Sequence, residues 1–87
     1  MKFEYDSNKS DSNRLKHGID FVEAQLLWQD ANLLVAPLLY VDEPRWIAIG
    51  RIGPRHFSAI FTHRDKNIRI ISVRRSRKEE VTAYETS

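Results

Sequence analysis

The sequence predicts a small α/β domain of the α+β kind: an N-terminal strand, two helices, an antiparallel three-stranded meander and a short C-terminal helix. Three observations carry this expectation. Apolar residues alternate over residues 45–52, crowd residues 56–63 with aromatic and β-branched types, and are nearly continuous over 68–74, and turn residues bound each run. Two capping-box patterns, D-x-x-E at Asp20 and S-x-x-E at Ser76, lie on either side of that block and announce helices. The 87 residues, 41% of them apolar, suffice for one modest core, so residues 1–87 are expected to form a single domain.

Residues 2–5 alternate, with Phe3 and Tyr5 on one face, and read as a short strand. Asp6 offers an N-cap to a helix over residues 7–17, and Gly18 stands where a left-handed C-terminal residue belongs. Asp20 and Glu23 open a second helix running to about residue 29, with Phe21, Ala24, Leu27 and Trp28 as its core stripe. Asp30, Ala31 and Asn32 make a turn before a short strand at 33–35, and Asp42, Glu43 and Pro44 break the chain. The meander follows, with turns at 53–55 and 64–67. Its last strand should be central and covered on both sides, with Ile68 and Ile70 on one face and Ile71 and Val73 on the other. Ser76 and Glu79 then cap the final helix, in which Val81 and Tyr84 share a face.

Composition narrows the function. With no cysteine there is neither a disulfide scaffold nor a thiolate metal site, and the first residues lack the apolar run of a signal peptide, so a cytoplasmic protein is expected. The apolar stretches at 33–41 and 68–73 are too short to span a bilayer, and no membrane association is expected. The formal charge of +2 hides an asymmetry: residues 1–44 hold 4 basic and 8 acidic side chains, residues 45–87 hold 10 and 4. Nine of the fourteen cations are arginine, whose planar fork matches phosphate. Arg64, Arg74, Arg75, Arg77 and Lys78 are expected to form the main phosphate-binding surface. The last four crowd the start of the final helix, where cations oppose the macrodipole; a phosphate or acidic peptide arriving there would relieve them, and the alternative is neutralisation within the chain by Glu79, Glu80 and Glu85.

His17, His56 and His63 lack metal-ligand spacing, and no glycine-rich phosphate loop or nucleophile elbow occurs, so no metal or other cofactor is expected. Arg, Lys, His and Tyr suffice for one reaction, cleavage of RNA by its own 2′-hydroxyl, which needs a base, cations to hold the phosphorane charge, and an acid. His17, His63 and His56 are weighed as proton carriers in that order. Tyr84 can join them only if arginine neighbours lower its pKa. Trp46 is read as core.

The blocks Asn13-x-x-Lys16-His17-Gly18-Ile19-x-Phe21 with Glu23-Ala24, then Asp42-Glu43-x-Arg45 with Ile49-Gly50-Arg51, and Arg69-Ile70-Ile71-Ser72-x-Arg74-Arg75 with Lys78-Glu79 and Tyr84, closely resemble the BrnT family over nearly the whole chain. That resemblance implies a RelE-like fold and a ribonuclease toxin of a type II toxin-antitoxin system that halts translation and arrests bacterial growth. It also implies a BrnA-type ribbon-helix-helix antitoxin as partner, contact with operator DNA only through that antitoxin, and room for a homodimer inside the complex. By topology, Arg51, Arg64, Arg74 and Tyr84 are the nearest equivalents of the superfamily's catalytic residues. The expected catalytic set is His17, Arg64, Arg74 and Tyr84; the expected RNA-binding set is Lys16, Arg51, Arg69, Arg75, Arg77 and Lys78. The alternative is a catalytically silent basic module that binds nucleic acid or protein within a repressor complex, for which the cations alone would suffice.

Overall fold

A computed structural model describes residues 1–39 and 42–87, so the Tyr40 and Val41 end of the apolar stretch lies outside the described residues. The elements are β1 (Lys2–Glu4), α1 (Ser7–His17), α2 (Phe21–Ala24) continued by a 3-10 turn (Gln25–Gln29), β2 (Leu34–Leu38), β3 (Arg45–Ile52), β4 (Arg55–Arg64), β5 (Asn67–Arg75) and α3 (Lys78–Thr86). The α+β class is as expected, but the sheet is larger than a three-stranded meander. Five strands are ordered β1-β5-β4-β3-β2, with β1 parallel to β5 and the other pairs antiparallel. β5 is therefore interior but not central; β4 holds the middle.

The local signals act as read. Asp6 accepts hydrogen bonds from Asn8 and Lys9 N–H, Gly18 ends α1 at φ +74°, and Asp20 and Glu23 complete their reciprocal capping box. The second helix is not α-helical to residue 29. It tightens after Ala24, and since Phe21, Ala24 and Leu27 recur every three residues, the 3-10 winding keeps them on one line into the core. β2 runs past Pro37 because it is an edge strand, where a missing N–H is tolerated.

Strand register divides the sheet into two unlike faces. The first carries Phe3, Ala48, Phe57, Ala59, Phe61, Ile68, Ile70 and Val73 against Ile19, Phe21, Ala24 and Leu27 of the helical layer, and this is the core. Trp46 stacks on Phe61 there, 6.1 Å between centroids, as a core aromatic. Ile71 and Val73 do not share the second face. Ile60 pairs with Ser72 but Phe61 with Ile70, so Ile71 is an extra residue, and the bulge returns Val73 to the core side. The second face is covered by α3 at one end only.

Both short edge strands stop early, and side chains take over their hydrogen bonding. Beyond β1, Asn13 Nδ2 donates to Val73 C=O (2.8 Å) and its Oδ1 accepts from Val73 N–H (3.2 Å), so one amide stands in for a missing strand residue. At the opposite edge, before β2 begins, Asp30 Oδ2 accepts from Arg51 N–H (2.9 Å). Gly50 permits this approach: a Cβ there would stand 2.9 Å from a Leu33 methyl and 3.1 Å from the Asp30 carboxylate.

Candidate functional site

The second face is built by alternation. β3 presents Arg45, Ile47, Ile49 and Arg51; β4 presents His56, Ser58, Ile60, Thr62 and Arg64; β5 presents Asn67, Arg69, Ser72 and Arg74. At the open end, Leu38 pairs with Arg45, Thr62 with Arg69, and Arg69 with Glu4. Thr62 donates to Pro44 C=O (2.7 Å), which draws the segment before β3 onto β4 and sets Arg45 beside Thr62. Arg45 and Arg69 thus flank Thr62 from the two neighbouring strands, roughly 10 Å apart at one strand spacing each. A groove of about 360 Å³ opens there, lined by Lys9, Glu43, Arg45, His63, Arg64 and Arg69 among others.

Carboxylates at the rim hold these guanidinium groups without covering them. Glu43 accepts from Arg45 Nη2 (3.0 Å) and Glu4 from Arg69 Nη1 (3.3 Å), with Arg64 3.9 Å from Glu4. Hydrogen bonds from Asn67 and Arg69 and the nearby Arg64 charge keep the Glu4 carboxyl below its ordinary range despite partial desolvation. Four cations against two rim carboxylates leave the groove positive, and each arginine keeps donors for a phosphate.

The α3 end is closed by a different network. Arg74 grips Glu80 through both nitrogens (2.7 and 2.9 Å), and Ser58 and the Arg77 N–H also donate to that carboxylate (2.8 and 2.9 Å). The Arg74 bond, with Arg77 N–H and Ser58 behind it, outweighs burial and lowers the Glu80 pKa to about 2. Ser76 is not the N-cap. Its hydroxyl bonds Ser58 and its N–H bonds His56 C=O, which prolongs the strand by one step, so the helix is capped at Arg77 with Glu80 in place of Glu79. The charge repulsion expected around Ser76 is therefore relieved at Arg74 by an acid six residues away.

Tyr84, 7% exposed, donates its hydroxyl to Asp30 Oδ2 (2.7 Å) and stands edge-on to His56, whose Nε2 is 3.1 Å from Glu85. Sequence reasoning required arginine to lower the Tyr84 pKa. The reverse holds: the hydrogen bond to Asp30, burial and the Asp30 charge all raise it, and Arg51 offsets only part. Burial works against the Asp30 anion, but bonds from Tyr84, Asn32 N–H and Arg51 N–H keep its carboxyl below the ordinary range.

The expected catalytic set does not converge. Arg64 and Arg74 pair with opposite ends of the β4–β5 ladder, at Asn67 and Ser58, some six residues or about 20 Å apart along β4. His17 is exposed, eight residues or about 12 Å along α1 from Lys9, and Lys16 lies beside it. The arginine-rich run is also split, because consecutive strand residues point to opposite faces. Arg75 lies on the first face, 5.9 Å above the Phe57 ring, while Arg77 and Lys78 are exposed at the start of α3. Arg69 stands at the open groove, and Arg51 near the α3 end. Arg45, Lys9 and Asp30 were not expected as site residues. Arg45 alone left a trace, as a member of a recognised block, since the contacts of Lys9 and Asp30 are long-range.

A family model described as "Ribonuclease toxin, BrnT, of type II toxin-antitoxin system" matches residues 5–80. No curated protein matches the chain. Among the described residues no helix is long and apolar enough to cross a membrane.

Proposed function

The chain belongs to the BrnT family of ribonuclease toxins from type II toxin-antitoxin systems, and from that premise we propose a metal-independent endoribonuclease that cleaves RNA on the open end of its second sheet face. The observation that carries this reading is the row in which Arg45 and Arg69 flank Thr62, with Arg64 and Lys9 beside it, in a groove wide enough for a phosphate and its sugars. There the arginines hold the reacting phosphate and meet the charge that grows on its oxygens. The 2′-oxygen attacks the adjacent phosphorus and the 5′-oxygen leaves, giving a cyclic phosphate and a 5′-hydroxyl end. A base takes the 2′-proton and an acid returns one to the leaving oxygen. Of the candidate proton carriers, His63 lines the groove. Its ring packs on Trp46 and Phe61 of the first face (4.7 and 5.6 Å between centroids) and must turn from them to carry that exchange. His17 stands too far along α1.

Arg74 and Tyr84 act at one remove in this account. Arg74 fastens α3 through Glu80, and Tyr84, kept protonated by Asp30, packs α3 against the hairpin end. Translation is inhibited through loss of RNA, and a BrnA-type antitoxin neutralises the toxin by covering the same cationic face with carboxylates of its own. The test is an RNA carrying a single 2′-deoxy nucleotide at the cut site, incubated in excess EDTA. Cleavage of the all-ribose strand and sparing of the deoxy position are expected. A cut that persists at the deoxy position would sink the mechanism, and a chain that binds RNA without cutting it would be the silent module.

A further inference from the structure

On the reading of the second face as the RNA face, we infer that a groove at its α3 end binds one unstacked nucleobase and gives the enzyme a sequence preference away from the cut. This groove, of about 560 Å³, is lined by Leu26, Gln29, Asp30, Asn32, Arg51 and Tyr84 among others. It lies at the far end of β3 from the phosphate groove, six residues or about 20 Å along the strand from Arg45 to Arg51, so one RNA strand can reach both.

The lining has the chemistry of base recognition. Gln29 and Asn32 are exposed, and among the described residues their side chains make no hydrogen bond, so two carboxamides offer donors and acceptors for a Watson–Crick edge. The Arg51 guanidinium forms no ion pair among the described residues and is free to stack on a base or meet its phosphate. Leu26, 45% exposed, supplies an apolar wall. Asp30 does not repel the ligand as a free carboxylate would, since its oxygens already accept from Asn32 N–H, Arg51 N–H and Tyr84. An acidic partner segment would use Arg51 but has no need of two carboxamides, which favours RNA as the occupant.

The test uses the full chain and the double variant Gln29→Ala/Asn32→Ala, whose side chains are exposed and make no hydrogen bond among the described residues. Cut ends from a random-sequence RNA pool are sequenced. The wild type should prefer one base at a position a few nucleotides from the cut, and the variant should lose about tenfold of that preference. An unchanged preference, or none in the wild type, overturns the inference. Binding of pentanucleotides with and without one abasic position, followed by fluorescence anisotropy, reads the groove independently of cleavage. The abasic strand should bind the wild type about tenfold more weakly than the intact one, and the variant should not distinguish them. Equal loss in both proteins, or a variant that loses antitoxin affinity but keeps its base preference, rejects the assignment. Absence of cleavage with intact base discrimination would count against the ribonuclease reading alone.

Discussion

Replacing Arg45 and Arg69 together by glutamine is expected to weaken RNA binding by about 10² to 10⁴-fold at low salt. Each charge-assisted hydrogen bond to phosphate is worth about 1.5–3 kcal/mol, and two are removed. The salt dependence should change with it: for single strands log K falls with log salt by about 0.7 per phosphate neutralised, so the slope should flatten by about 1.4. The fold should survive, because Glu43 is well exposed and Glu4 keeps its bond from Asn67. The matched control is Arg75→Gln/Arg77→Gln, which removes the same charge from Phe57's face and the start of α3. Titrations of a short RNA at several salt concentrations would check both. A flat response at Arg45 and Arg69 together with a large one at Arg75 and Arg77 would move the binding surface to where the sequence alone suggested it.

Removing the charge of Glu80 by Glu80→Gln should cost about 3 kcal/mol of stability at neutral pH. Its folded pKa of about 2 lies below the ordinary 4.5, and each pKa unit corresponds to about 1.4 kcal/mol of preference for the charged form. A depressed carboxylate stabilises the fold above its ordinary pKa, and that contribution fades as pH falls from about 4.5 to about 2. The wild type should therefore lose stability across that acid range, while the glutamine variant, already without the ion pair, should follow a flatter curve. Urea unfolding at neutral and acidic pH measures the difference. Amide exchange in α3 reports it locally, because Glu80 joins that helix to Arg74 and Ser58 of the sheet. Parallel pH curves for the two proteins would mean that Arg74 is not spent on holding α3.

What was legible in the sequence was local. Asp6, Gly18, Asp20 and Glu23 act within one or two turns, and their side chains do what residue type and spacing require. The strands of the meander were legible by period, but their faces were not. One extra residue at Ile71 reverses the parity of all that follows, so Val73 turns inward, and nothing in a continuous apolar run marks where a bulge falls. The same alternation divides Arg74 from Arg75, which a charge count along the chain adds together. Ser76 failed as a cap for a tertiary reason, its hydroxyl being engaged by Ser58 eighteen residues away. Asn13, seen only as part of a block, closes a strand edge sixty residues later, and Asp30, seen only as a turn residue, holds both Arg51 and Tyr84. The site was legible as chemistry, arginine suited to phosphate, and illegible as a place, because strand register alone brings Arg45, Thr62 and Arg69 together.

The central claim is that RNA lies on the open end of the second sheet face. A chemical-shift map with a non-cleavable RNA, methylated at each 2′-oxygen, tests it most directly. The account predicts shifts concentrated at Lys9, Arg45, Thr62, Arg64 and Arg69, with Lys16 and His17 at the end of α1 and the Arg75 to Lys78 segment quiet. Strong shifts at those segments, with the open face silent, would contradict it.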